Sequence, residues 1–138
     1  MALLSTKGIY GLMAMYELYQ HQRVSEEPIG LKEIANKTDI SPGYLEQLFS
    51  MLKKEGLIES IRGSKGGYRL SKMRKISIKN ILIALEGEVS IVKNEIDNPL
   101  FDLFFRDCNL KIEKILDIPL SQLDEYRQLL TDRIEFSI

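Results

Sequence analysis

The sequence is poor in the residues that most often cross-link a chain or hold metals. Its 138 residues include one cysteine and one histidine. A single cysteine excludes an internal disulfide bond. The histidine, His21, falls at the end of the first predicted helix, where a positive charge interacts favourably with the helix dipole. We therefore expect no metal role for it.

Long apolar runs are also absent. No stretch reaches the length needed to cross a bilayer and no signal peptide precedes Ser5, so we expect a soluble, cytoplasmic protein without membrane association. With 44% hydrophobic residues the chain can form one real core, although at this size a partner chain can contribute to burial. One compact domain with a dimerisation element fits this composition.

Catalytic patterns are missing as well. The glycines from Gly63 to Gly67 do not open a helix, so they form neither a phosphate-binding loop nor a dinucleotide fingerprint. Four acidic residues could in principle pair for acid–base chemistry or bind a hard cation, but such flanking charges are usually solvated. They are Glu86, Glu88, Glu95 and Asp97. We expect no enzyme, no catalytic residue and no metal site.

The overall charge of −1 conceals a strong asymmetry along the chain. Residues 1–79 hold 13 basic and 8 acidic side chains, whereas residues 80–138 hold 6 and 12. The first part therefore carries +5 and the second −6. A positive field attracts nucleic acid, so the N-terminal part is the expected nucleic-acid side.

The segment after Ile40 predicts a recognition helix. Ser41 can cap the helix and Pro42 suits its first position, while Ile40 and Leu45 are spaced for a hydrophobic staple. Apolar residues recur at helical spacing at Leu45, Leu48, Phe49 and Leu52. The polar groups left on other faces are Gly43, Tyr44, Glu46, Gln47 and Ser50.

A basic hairpin follows this helix. Gly56 is the predicted C-cap, and 57–62 and 68–71 are predicted strands around a glycine-rich loop. Glycine allows close backbone approach to a phosphate, and the charge comes from Arg62, Lys65 and Arg69. With a short helix at Leu31–Ala35 before the turn, the pattern is a winged helix-turn-helix. The alternative is a solvated surface hairpin.

Several motifs occur in order along the chain. They are Ser5-Thr6-Lys7-Gly8 with Tyr10-Gly11-Leu12, then Tyr44-Leu45-Glu46-Gln47-Leu48, then Arg62-Gly63 with Gly66-Gly67-Tyr68, and finally Leu85-Glu86-Gly87. Together they resemble the bacterial Rrf-two (IscR/NsrR/CymR-like) family of winged-helix transcription regulators. The chain departs at Ile9, where the family usually has a basic residue, and at Ser64-Lys65, where it often has Pro-Gly.

The resemblance implies a mainly α fold with a small β-hairpin wing, in which 1–87 bind DNA and 88–138 supply a dimerisation helix and a C-terminal effector or partner segment. It implies a homodimer that represses transcription from an inverted-repeat operator. Glu46 would reach a cytosine amino group and Arg62 the minor groove. The implied DNA contacts are Ser5, Lys7, Tyr10, Ser41, Gly43, Tyr44, Glu46, Gln47, Arg62, Gly63, Lys65, Gly66, Gly67 and Tyr68.

Two further helices are predicted after the wing. Ser77 caps one that ends at Gly87, and Asn98-Pro99 open a longer one that Pro119 ends. The longer helix is apolar on two sides, which favours packing on both its own domain and a partner, although an ordinary core helix is the alternative. The expected dimer residues are Leu100, Phe101, Phe104, Phe105, Cys108, Ile112 and Ile115.

Many members of this family hold an iron–sulfur cluster with three cysteines before the dimer helix. Here residues 88–97 contain neither cysteine nor histidine, so we expect no cofactor. Cys108 lies within the dimer stripe, where a buried thiol is favoured over a redox sensor or cluster ligand between subunits. An adaptor that binds protein and not DNA is a further alternative, which the basic wing argues against.

The C-terminal residues suggest a partner. Ser121 and Asp124 are predicted to cap a short last helix, after which apolar residues alternate from Ile134 through Phe136 to Ile138. The cysteine-free, CymR-like branch has a similar tail, and there the partner is cysteine synthase, which accepts such C-termini. The same residues could instead pair as a short strand or cover the dimer core.

Overall fold

The computed structural model describes the backbone of residues 2–73 and 75–137, and the side chains of the same residues as far as 134. It is mainly helical with one two-stranded antiparallel hairpin, as the sequence predicts. The elements are α1 (Thr6–Gln22), α2 (Leu31–Thr38), α3 (Pro42–Lys54), β1 (Ile58–Ile61), β2 (Gly67–Leu70), α4 (Ile78–Glu86), α5 (Pro99–Leu116), a 3-10 turn (Leu120–Gln122) and α6 (Leu123–Ser137). None of the described helices has the length and hydropathy that a bilayer-spanning segment needs.

The core lies between α1, α2, α3 and α4. The apolar positions predicted on α3 are fully buried, and α1 and α4 contribute side chains of similar burial such as Met15, Leu18 and Leu82. Gly8 and Gly11 let α1 and α4 approach closely. A Cβ on Gly11, for example, would overlap the buried Leu85 side chain. Helical periodicity thus predicted the buried face of α3 correctly. On α1 it did not, since Ile9 and Met13, which fall at helical spacing, are 49% and 40% exposed while Ala14, Met15 and Leu18 form the buried face.

The hairpin is anchored to this core. Strand β1 pairs with β2 in a register that places Ile58 opposite Leu70. Ile29, before α2, forms an antiparallel β-bridge with Tyr68 of β2. The two residues exchange both backbone hydrogen bonds, at 3.0 and 2.8 Å. Gly67 has a φ of 157°, and a Cβ there would collide with the Ile29 carbonyl, so glycine is required.

Helix α4 begins with a complete capping box, because Ser77 and Asn80 bond each other's backbone N–H at 3.0 Å. Helix α5 begins at Asn98, whose side chain accepts from Leu100 and Phe101 N–H groups. All of α5 is described, and none of its residues is buried. The chain then returns to the core, where Leu120 is buried.

The last helix differs from its prediction. Helix α6 is fifteen residues long, so the short final helix expected from Ser121 and Asp124 was wrong. Its backbone is helical from Ile134 to Ser137, which excludes the short strand considered for these residues. The side chain of Phe136 and all of Ile138, both proposed as partner contacts, lie outside the described residues.

Candidate nucleic-acid interface

The exposed face of α3 carries the predicted base contacts. Glu46, Gln47 and Ser50 are exposed. A Cβ added at Gly43 would meet no atom within 4 Å, so the backbone there is open to solvent. The helix begins at Ser41, whose hydroxyl accepts from Tyr44 N–H at 3.4 Å, as the cap prediction required. A rigid helix start therefore holds two hydrogen-bonding side chains, a carboxylate and an amide, toward solvent.

Tyr44 is not free on this face. It is half-buried, and its ring meets the ring of Tyr10 edge-on with centroids 6.0 Å apart. Such aromatic pairs prefer this geometry. The contact joins the second turn of α1 to the first turn of α3, so two predicted DNA contacts from different helices lie side by side.

The tip of the wing is open and basic. Arg62, Gly63 and Lys65 are exposed, and the tip is closed by a hydrogen bond from Gly66 N–H to the Gly63 carbonyl at 2.9 Å. Gly63 has a φ of 116°, a conformation that favours glycine. The geometry leaves two cationic side chains next to a narrow backbone turn, which suits a phosphate or a groove.

Two wing residues are engaged within the chain. Arg69, which we expected to supply positive charge, donates from Nε to Glu59 Oε2 at 2.9 Å, so much of its charge is compensated inside the hairpin. The ring of Tyr68 packs on Phe49 with centroids 4.7 Å apart. Tyr68 therefore supports the wing on α3 in this structure, whereas Arg62 and Lys65 are left for a ligand.

The start of α1 holds the remaining candidates. Ser5, Lys7 and Tyr10 are exposed. Both donors of Ser5 are taken, however, because its N–H and its hydroxyl donate to Glu86 Oε1 at 3.0 and 2.5 Å. Glu86 was expected to be a solvated surface acid, and that expectation was wrong for this residue.

The predicted dimer residues form an exposed apolar stripe on α5. Leu100 and Ile115 are each 70% exposed, and Phe101 and Phe104 about half exposed. Phe105, Cys108 and Ile112 are half-buried, with Phe105 against Phe104 at a centroid separation of 5.1 Å. An apolar surface of this kind on a helix without any buried residue is typical of a protein–protein interface.

Comparison with known proteins gives the family. Residues 4–125 match the family model described as Rrf2, Iron-dependent Transcriptional regulator. The chain belongs to the Rrf2 family. The resemblance seen in the sequence motifs is thereby confirmed, and the chain shares the winged-helix fold of this family, whose model is described as a transcriptional regulator.

Two Rrf2 relatives, one of them also compared as a solved structure, show how far the likeness extends. An IscR regulator from Cereibacter sphaeroides is 41% identical over 88 residues, which are 63% of this chain and 57% of that protein. CymR from Bacillus subtilis is 46% identical over 91 residues, 65% of this chain and 64% of that protein. The chain thus spans less than two thirds of these relatives. The solved structure of CymR, described as the global cysteine regulator of B. subtilis, has a TM-score of 0.75 at 38% identity and covers 91% of this chain and 98% of its own.

Because the Rrf2 family model is described as iron-dependent, we ask whether the side chains of this chain fit an iron–sulfur cluster. Iron–sulfur clusters are held by several thiolates, and this sequence has one cysteine. Cys108 is a half-buried free thiol on α5, and the described residues contain no group of three or more His, Cys, Asp or Glu able to hold a metal ion. Within residues 88–97, Ile91 N–H donates to the side-chain oxygen of Asn109 on α5 at 3.0 Å. The residues present do not fit a cluster.

Sequence reasoning missed two carboxylates that organise this Rrf2 chain. Glu86 accepts hydrogen bonds at the start of α1, and Asp124 accepts from three side chains of α1 and from Arg23, the residue after the helix. Both pairings join residues more than 75 positions apart. The one local signal was that Glu86 directly follows the core residue Leu85, which brings it close to whatever packs on α4.

Proposed function

We propose that this chain is a homodimeric repressor that binds an inverted-repeat operator in double-stranded DNA. The observation that carries the proposal is the exposed polar face of α3 beside an open, basic, glycine-tipped wing. In this reading Glu46 and Gln47 contact base edges, and Arg62, Lys65 and Lys7 contact phosphates or the minor groove.

The proposed dimer uses the apolar stripe of α5. A single chain leaves Leu100, Phe101, Phe104 and Ile115 at least half exposed, which a monomer in water rarely tolerates. A two-fold dimer buries the same stripe from both chains and presents two α3 helices, so the operator repeats its half-site in inverted orientation. We propose Gly87 as the boundary between the DNA-binding part, 1–87, and the dimerisation part, 88–138.

Selection from a pool of random duplexes by the purified full chain tests this function. We expect an enriched inverted repeat and a Kd that rises steeply with salt, because released counterions favour binding. Enrichment of nothing, or binding that does not depend on salt, would count against a DNA-binding role and in favour of a protein-binding adaptor.

We also propose a link to cysteine metabolism. It is supported by the 46% identity with CymR and by a donor set that does not fit a cluster. The partner would be cysteine synthase, bound through the C-terminal residues Phe136 and Ile138. A pull-down of cysteine synthase from the same organism tests this link: the full chain should retain it, and a variant lacking Ile138 should not. Equal retention by both would contradict the link.

A further inference from the structure

The carboxylate of Glu86 lies at the N-terminus of α1. Its Oε1 accepts from the N–H and hydroxyl of Ser5 and from the N–H of Gly8 at 2.9 Å. The Ser5 side chain does not cap its own helix, and two N–H groups at the helix start, those of Ser5 and Gly8, are instead satisfied from α4. Gly8 makes room for this contact, because a Cβ there would lie 2.6 Å from the same oxygen.

This arrangement changes what α1 can offer to DNA. The N-terminus of a helix is a ready anion site, and an exposed one would be free to bind a phosphate directly. Here a carboxylate of the same chain occupies the N–H groups of Ser5 and Gly8. The Ser5 hydroxyl donates to that carboxylate, and phosphate has no proton to give it in return. Direct phosphate contact by Ser5 would require the Glu86 contact to break.

Lys7 lies between these two bonded residues, with its side chain exposed. One turn later Tyr10 contacts Tyr44 at the start of α3. The start of α1 is therefore fixed from two directions, by Glu86 of α4 and by Tyr44 of α3. Lys7 and Tyr10 project from a turn whose position these two contacts determine.

We propose that Glu86 is a positioning residue for DNA binding, which fixes the first turn of α1 so that Lys7 meets a phosphate while Ser5 serves as its internal partner. The inference rests on the proposed DNA-binding function. It assigns to Glu86 an effect opposite to that of its charge, since a negative side chain near DNA by itself opposes binding.

Affinity for the selected operator, measured across a salt series, separates these effects. Glu86→Ala should weaken binding about tenfold, the size expected from one lost charge-assisted hydrogen bond or phosphate contact. It should also lower the salt slope by about one, as Lys7→Ala does, since one phosphate contact is lost. Glu86→Gln, whose amide oxygen can accept the same N–H groups, should recover most of the affinity. Glu88→Ala removes a nearby exposed carboxylate and serves as the control for charge.

Double variants test the assignment of Lys7 and Ser5. Lys7→Ala in the Glu86→Ala background should weaken binding by less than about twofold, because the contact is already lost. Ser5→Ala should weaken operator binding in the unmodified chain. It should not weaken binding further in the Glu86→Ala background. Tighter binding by Glu86→Ala, or losses that multiply in the double variants, would overturn the proposal.

Further measurements distinguish a variant that fails to fold from one that folds but binds DNA weakly. Thermal unfolding of each variant establishes that it is folded at the assay temperature. If Glu86→Ala is not folded, Ser5→Ala and Glu86→Gln carry the test. Ser5→Ala should then weaken binding and lower the salt slope by about one, because the Lys7 contact is lost; a loss of affinity with an unchanged salt slope would assign Ser5 to DNA and overturn the proposal. Failure of the unmodified chain to bind any duplex would refute the proposed function itself, and the positioning role with it.

Discussion

The hydroxyl of Tyr16 donates a hydrogen bond of 2.7 Å to Asp124 Oδ1, joining α1 to the first turn of α6. Tyr19, Gln20 and Arg23 donate to the same carboxylate at 2.9 to 3.1 Å. One acid therefore accepts from three side chains of α1 and from Arg23, which directly follows the helix. None of the residues of α5 is buried, and this cluster is one of two described attachments of the chain after α5 to the core. The other is just before α6, where Ile78 N–H donates to the Ile118 carbonyl at 2.8 Å and Leu120 is buried.

Replacing Asp124 by Asn should lower the Tm, since the amide accepts with one oxygen where the carboxylate uses two and carries no charge for Arg23. The decrease in Tm should be larger than for Glu125→Gln, which changes the exposed neighbouring residue. Differential scanning calorimetry of both variants measures it. Equal Tm values would show that the cluster contributes nothing net.

Stability should fall in acid through the same carboxylates. The hydrogen bond from Tyr16, with those of Tyr19 and Gln20, holds the pKa of Asp124 below its ordinary value. Burial raises the pKa of Glu86, but the bonds from Ser5 and Gly8 outweigh it, so this pKa is also lowered. A lowered folded pKa gives stability that is present above the unfolded value and lost as the pH falls through the folded one. The Tm should thus decline below about pH 4, the region of unperturbed carboxyl pKa values.

Removing the acids tests that explanation. Asp124→Asn should have a lower Tm at pH 7 and a flatter decline in acid than the unmodified chain. An unchanged slope would assign the acid sensitivity to other carboxylates.

Readout of base sequence should depend on Glu46. Glu46→Ala should cost about 1–3 kcal/mol of discrimination at one base pair of each half-site. Lys65→Ala should instead weaken all sequences alike and reduce the salt slope by about one. Competition between the operator and single-base variants distinguishes the two. An unchanged base preference in Glu46→Ala would contradict the groove geometry assigned to α3.

Dimerisation should depend on the α5 stripe. Phe104→Asp replaces a ring that is 54% exposed in one chain with a carboxylate. The monomer can therefore fold, while the dimer, which would bury the charge, is destabilised. Phe105 is a poorer choice because it is half-buried within its own chain. Sedimentation should give monomers and specific DNA binding should be lost together. Lys111→Ser, on an exposed charged position of the same helix, should leave the dimer intact.

Local signals predicted the elements that carry the site, and long-range pairing explains what they missed. The start of α3 has a cap, a proline and a staple, all within six residues, and its apolar spacing named the buried side chains correctly. Glu86 and Asp124 escaped because a lone carboxylate has the same local appearance whether water or a helix terminus surrounds it. Helix α6 was underestimated because alternating apolar residues near 134–138 suggested a strand, although no breaker follows Leu123.

In the proposed function, two chains act together on one operator. Native mass spectrometry of the unmodified chain with the selected duplex, and with a duplex carrying a single half-site, tests it most directly. We expect two chains on each full operator and much weaker occupancy of the half-site. One chain per duplex, with equal occupancy of full and half-sites, would contradict it.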